Sequence, residues 1–207
     1  MKYSAVLLLL ALTVSAEPIT NPEPNWFPLA VGNSWLFEIE SFAISDGDST
    51  FYTGTKQYEI TDLLTHDAGF PIYELRTIYS VIPVGSDAAE SSPDTTIEYL
   101  RQSATELRCY ISPALDMFDV WISFGMMGRE IAMLRESSSV PMGIRVEPSV
   151  IVPAGNFSNC SVIVYPTGEG NGTHELYFHQ DIGPVKTVYS TSTFCSTELL
   201  LNFSIQQ

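Results

Sequence analysis

The sequence predicts an all-β protein: a single antiparallel meander with little helix, whose sheet curves strongly or half-closes into an open barrel. Three observations carry this. Apolar residues recur with period two in run after run, the mark of strands with one buried face. Clusters of Gly, Pro, Asn, Asp and Ser break these runs every 8–15 residues. Helical periodicity is almost absent. About ten such strands form a sheet too wide to stay flat, so it must curl to bury one face.

In chain order, residues 1–16 read as a signal peptide. Lys2 precedes the apolar run Val6–Leu12, and Val14-Ser15-Ala16 offers the small residues of a cleavage site. The run is shorter than the about 20 residues needed to cross a bilayer. No Cys follows Ala16, so no lipid anchor is expected. Glu17 to Asn25, with Pro18, Pro22 and Pro24, reads as an extended lead-in. Trp26, Phe27 and Leu29 read as an apolar plug, and residues 35–207 as one antiparallel β domain.

The first strand places Trp35, Phe37 and Ile39 on one face and Glu38 and Glu40 on the other. A turn at Ser45–Ser49 follows, then a strand at Tyr58–Thr61 and a turn at His66–Pro71. Tyr73, Leu75, Thr77, Tyr79 and Val81 mark a long strand, and Val84–Asp94 a loop. Further strands begin at Ile97 and at Leu107. Residues 116–136 fit a strand over Phe118–Phe124 and then either a strand or a short helix. Ile144 to Val152, Cys160 to Val164, Leu176 to Phe178 and Val185 to Thr193 supply four more strands. The closing one puts Leu199, Leu201, Phe203 and Ile205 on one face. Asn171-Gly172 is a hairpin signal.

Composition excludes some functions. The formal net charge is −15. Loss of the signal peptide removes Lys2 and leaves eight basic against 24 acidic side chains, a net of −16. Such a surface repels phosphate backbones and anionic head groups, so no nucleic-acid partner is expected. Cys109, Cys160 and Cys195 are an odd count. One bridge with one free thiol, or three reduced thiols, both fit, with Cys160–Cys195 the first choice for a bridge. Their spacing makes no zinc site.

Five of the six methionines, Met117, Met126, Met127, Met133 and Met142, fall within 26 residues. Gap-filling in a core is the plain reading; a pliable lining for an apolar ligand is the functional one. Copper would want closer Met or His–Met spacings. His174 and His179 lie five apart on one strand, hence on opposite faces, and cannot share a metal. Asp46 and Asp48 lack the later ligands of a calcium loop. G-x-S-x-G, HExxH and phosphate-loop motifs are absent. No cofactor is expected. Asn156, Asn159, Asn171 and Asn202 match the N-glycosylation acceptor, which has meaning only in a chain from a eukaryote.

Two stretches carry a resemblance. Phe27-Pro28-Leu29-Ala30-Val31-Gly32-Asn33-Ser34-Trp35 resembles the opening of a broad group of uncharacterised exported bacterial β-rich proteins. Val152-Pro153-Ala154-Gly155-Asn156-Phe157, with Gly183-Pro184-Val185-Lys186, resembles that group's closing motifs. The group is similar to the half-barrels of lipoprotein carriers (the Lol type). The resemblance implies the curved sheet and gives structural weight to Trp35, Pro153, Gly155, Phe157, Gly183 and Pro184. It brings no catalytic residues.

The expectation is therefore an exported, secreted or periplasmic, non-catalytic protein that binds an apolar ligand or lipid in a concave sheet face. The alternatives are a structural or interaction protein with a self-filled core, and a hydrolase with a dispersed site. Trp35, Phe37 and Tyr79 filling the concavity would favour the second. A histidine beside Ser or a carboxylate in a cleft would favour the third.

Overall fold

The computed structural model describes residues 25–85, 92–103, 106–112, 117–123, 131–132, 143–167 and 172–206. Within them the chain is all-β and contains no helix. The strands are β1 (Ser34–Ser45), β2 (Asp48–Thr65), β3 (Pro71–Pro83), β4 (Asp94–Gln102), β5 (Glu106–Ser112) and β6 (Met117–Ser123). They continue as β7 (Ile131–Ala132), β8 (Gly143–Val152), β9 (Gly155–Pro166), β10 (Thr173–His179), β11 (Gly183–Ser190) and β12 (Phe194–Ser204). All belong to one antiparallel sheet in the order β6-β5-β4-β3-β2-β1-β12-β11-β10-β9-β8-β7. Among the described residues no pairing joins β6 to β7, so the sheet is open. The signal-like segment and Met126, Met127, Met133 and Met142 lie outside the described residues.

The predicted meander is present, and its strands exceed their sequence signals. β1 and β2 run into a two-residue turn, Asp46-Gly47, with φ of +54° and +89° and Ser45 paired to Asp48. That backbone matches the twist of the flanking strands, so pairing continues to the tip. The signal fades after Ile39 because the concave side of β2 is polar: Lys56, in register with the fully buried Phe37, holds a place that alternation reserves for an apolar residue.

Bulges bend the middle of the sheet, on β2, β12 and β11. Thr61 is the extra residue on β2, Leu201 on β12 and Val185 on β11. Each adds local twist. The bulge at Leu201 also corrects the face expected for the last strand. Leu200, fully buried, packs inward and pairs with Phe37, while Leu199 and Leu201 are only half-buried.

At one end the concave side is filled. Trp35, Phe37, Ile60, Leu75, Leu100, Phe178 and Val185 form a core into which Trp26 and Phe27 insert. Phe27 meets Trp35 with ring centroids 5.1 Å apart. The plug is fixed by Asn25. Its carbonyl accepts from the Asp181 N–H at 2.8 Å, and its Oδ1 accepts from Gln102 Nε2 at 3.2 Å. Residues of β4 and of the β10–β11 turn are thus joined through the lead-in.

The two closing motifs are hairpin turns. Pro153-Ala154 links β8 to β9, with Val152 paired to Gly155, and the Ala154 N–H donates to the Leu200 carbonyl at 2.9 Å. Phe157 packs edge-on against His179 and Phe203. Gln180-Asp181-Ile182 links β10 to β11, with His179 paired to Gly183 and Pro184 opposite Phe178. Gly155 and Gly183 have φ of +145° and +98°, as the turn reading requires of at least one of them. A hairpin also joins β9 to β10, closed by the Thr167 N–H donating to the Gly172 carbonyl at 3.0 Å.

Candidate functional site

Away from the filled end, the concave side holds a cavity of about 490 Å³. One wall comes from β2, β3 and β4, with Lys56, Tyr58, Thr77, Tyr79, Thr96 and Glu98. The facing wall comes from β10, β11 and β12, with His174, Leu176, Phe178, Thr187, Tyr189, Phe194, Ser196 and Glu198. Phe27, Ile122 and Pro184 complete it. β1 runs between the walls. Period-two alternation places each set: Lys56 and Tyr58, Thr77 and Tyr79, Thr96 and Glu98, His174, Leu176 and Phe178 are pairs or triples two residues apart.

The walls are tied across β1. Lys56 Nζ donates to both Glu198 oxygens, at 2.9 and 3.1 Å. Phe37 pairs with Lys56 and Ile39 with Glu198, so the ion pair lies over the middle of β1. Both side chains are largely enclosed, at 19% and 14% exposure. Lys56 also lies 4.9 Å from the centre of the Tyr58 ring. Burial disfavours its ammonium, but Tyr58 and Glu198 outweigh that, and its affinity for the proton ends above the ordinary lysine value. Tyr58 is pushed up, by burial first and also by Glu198, with Lys56 opposing.

His174 faces the same space between Tyr165 and Tyr189, with ring centroids 6.4 and 5.7 Å away. Burial, with a smaller contribution from Lys56, holds it below the ordinary imidazole value; Glu198 works the other way. The imidazole is therefore neutral at neutral pH. Burial pushes Tyr165 up to about 12.

Of the other sequence candidates, His66, His179, Asp46 and Asp48 lie outside this cavity. Met117 opens β6. His66 stays in its turn, stacked on Phe70 at 4.3 Å, its Nδ1 accepting from the Ala68 N–H. His179 lies on the face opposite His174, as the spacing predicts. Asp46 and Asp48 are exposed residues of the β1–β2 turn. Among the described residues, no group of three His, Cys, Asp or Glu could hold a metal. Asn156, Asn159 and Asn202 are exposed.

The Cys160–Cys195 bridge is not formed; both thiols are unbridged. Two strands, β10 and β11, separate β9 from β12. The registers also put Cys160 level with His179 and Cys195 level with Thr173, at opposite ends of β10, so the two lie well beyond the reach of a disulfide. Burial, helped by Glu147, pushes the Cys160 thiol up to about 11, so it is unreactive.

Sequence reading missed Lys56, Glu98 and Glu198, because alternation treats a charged residue as outward. It also missed the role of Asn33, which is fully buried. Its Nδ2 donates to the Pro28 carbonyl at 2.8 Å, and its Oδ1 accepts from the Gln206 N–H at 2.7 Å. Its own carbonyl accepts from the Ile60 N–H at 2.9 Å. The signal was a polar residue inside an apolar motif.

No family model matches this sequence, and no curated protein matches it significantly. Two crystal structures are similar to it. One is a proposed exported protein with a YmcC-like fold from Bacteroides fragilis, 14% identical, TM-score 0.43, covering 87% of this chain and 99% of its own. The other is a proposed lipoprotein from Parabacteroides distasonis, 12% identical, TM-score 0.47, with the same two coverages. Among the described residues no helix is long and apolar enough to cross a membrane.

Proposed function

We propose that this chain is an exported, non-catalytic binding protein that holds a small, largely apolar ligand in its concave cavity. The observation that supports this is the cavity itself. Its about 490 Å³ lies within the range of small-molecule sites, and its apolar surface (Phe27, Ile122, Leu176, Phe178, Phe194) is interrupted by a few convergent polar groups. The mixed lining favours an amphiphile over a pure hydrocarbon.

A self-filled core with an interaction role is the second reading. Trp35 and Phe37 are fully buried and support it, but Tyr79 remains 40% exposed and does not fill the concavity. A hydrolase is the third. His174, Ser196 and Glu198 do line one cavity. Both Glu198 oxygens are engaged by Lys56, and among the described residues no hydrogen bond joins His174 to either partner. This arrangement of the described residues favours binding over hydrolysis.

Native mass spectrometry of the purified protein, followed by organic extraction, tests the reading. A co-purifying small amphiphile at near-stoichiometric amount is the expected result. Protein free of any adduct, and unchanged in melting temperature across a panel of single-chain amphiphiles, would reject it. N-terminal sequencing of exported material should begin at Glu17; material beginning at Met1 would reject the compartment.

A further inference from the structure

The charges in the cavity do not balance. Lys56 and Glu198 neutralise each other through two hydrogen bonds. Among the described residues no arginine lines the space. His174 carries no charge at neutral pH, for the reasons given above. Glu98 is left over. The Cys109 thiol lies 3.8 Å from its Oε1, and among the described residues the carboxylate makes no ion pair. Around it the walls present the rings of Tyr58, Tyr79 and Tyr189.

We propose that the ligand of this cavity is a monocationic amphiphile, an alkyl amine or quaternary ammonium whose positive head lies against Glu98. This deepens the binding reading and rests on it. A cation in this space meets an uncompensated carboxylate and the negative faces of tyrosine rings, both of which attract it in a partly water-excluded site. An anionic head would meet Glu98 and Glu198, with the sole lysine already engaged. The acidic surface, at −15 overall, also concentrates cations near the mouth.

Three twelve-carbon probes of different charge test this on the whole protein by calorimetric titration below their micelle concentrations: dodecyltrimethylammonium, dodecanol and dodecanoate. The cation should bind about tenfold tighter than either of the others. Glu98→Gln should weaken the cation about tenfold and leave dodecanol within about twofold. A thermal melt of the variant separates loss of binding from loss of fold. Should the variant not fold, the ranking of the three probes on the unaltered protein decides alone. Dodecanoate or dodecanol binding as tightly as the cation overturns the charge assignment while leaving the cavity reading intact. Failure of all three to bind overturns both.

Discussion

Trp35 donates its indole N–H to the Ile182 carbonyl at 2.6 Å, and the next residue, Gly183, lies against the same ring. A Cβ placed on Gly183 would stand 3.1–3.3 Å from three indole atoms. Opening motif and closing motif are therefore one contact, made between the first strand and the β10–β11 turn.

Replacing Gly183 by Val should cost at least about 2 kcal/mol: the backbone at φ +98° resists a side chain by about 1–2, and the indole must move as well. Gly155→Val, at φ +145° with nothing within 4 Å of a new Cβ, meets only the backbone term. Chemical denaturation of the two variants should rank Gly183 as the more damaging. Equal stabilities would contradict the packing argument.

Asn33→Ala should lower stability by about 2 kcal/mol, because it leaves the enclosed Pro28 carbonyl without its donor and the Gln206 N–H without its acceptor. For a domain of this size that is a loss of roughly 4–8 °C in Tm. A melt within a degree of the parent would show that water replaces the amide freely.

The ion pair over β1 calls for a double-mutant cycle. Lys56→Met alone should cost about 2–3 kcal/mol, since it strands Glu198 in a mostly enclosed site. That is less than the about 3–5 of fully buried pairs because the cavity admits water. Lys56→Met with Glu198→Leu should recover most of that loss. Additive losses in the double variant would mean that the two side chains do not act as a pair.

His174 gives stability a pH dependence. Its folded value lies below its unfolded one, so the folded state favours the neutral ring. That contribution is complete above the ordinary imidazole value near 6.5, and is lost as pH falls from there through the lowered folded value. An NMR titration should place His174 below 6.5, and His174→Gln should flatten the stability curve in that window. Glu198, Lys56, Tyr165 and Tyr189 face the ring; a midpoint above 6.5 would mean that Glu198 outweighs burial.

Legibility followed packing. Trp35, Phe37 and Ile39, or Leu75 beside Glu74 and Arg76, sit where one face is filled and the other wet, so alternation reports them faithfully. The walls of the cavity obey the same alternation but carry Lys56, Glu98, His174 and Glu198 on the inner face, where a hydropathy pattern sees interruptions. Leu199 and Leu201 misled because one bulge residue reverses the face of a strand, and a bulge leaves no mark in composition. The methionine cluster, Met117 apart, lies outside the described residues.

β1 and β12 are partners in the middle of the sheet, with Ser34 beside Ser204, while β6 and β7, consecutive in sequence, form its two outer edges. The strand order is thus a simple up-and-down ribbon whose sequence has been cut at its centre. Joining residue 206 to residue 25, which keeps the Trp26–Phe27 plug, and opening the chain between β6 and β7 would make every pairing one between consecutive strands. The natural connectivity requires the first strand to wait, with Trp35 and Phe37 uncovered, until the last has emerged. That long-range closure makes folding slow and leaves an apolar edge available to other proteins in the interval. The rearranged chain should therefore refold faster than the original.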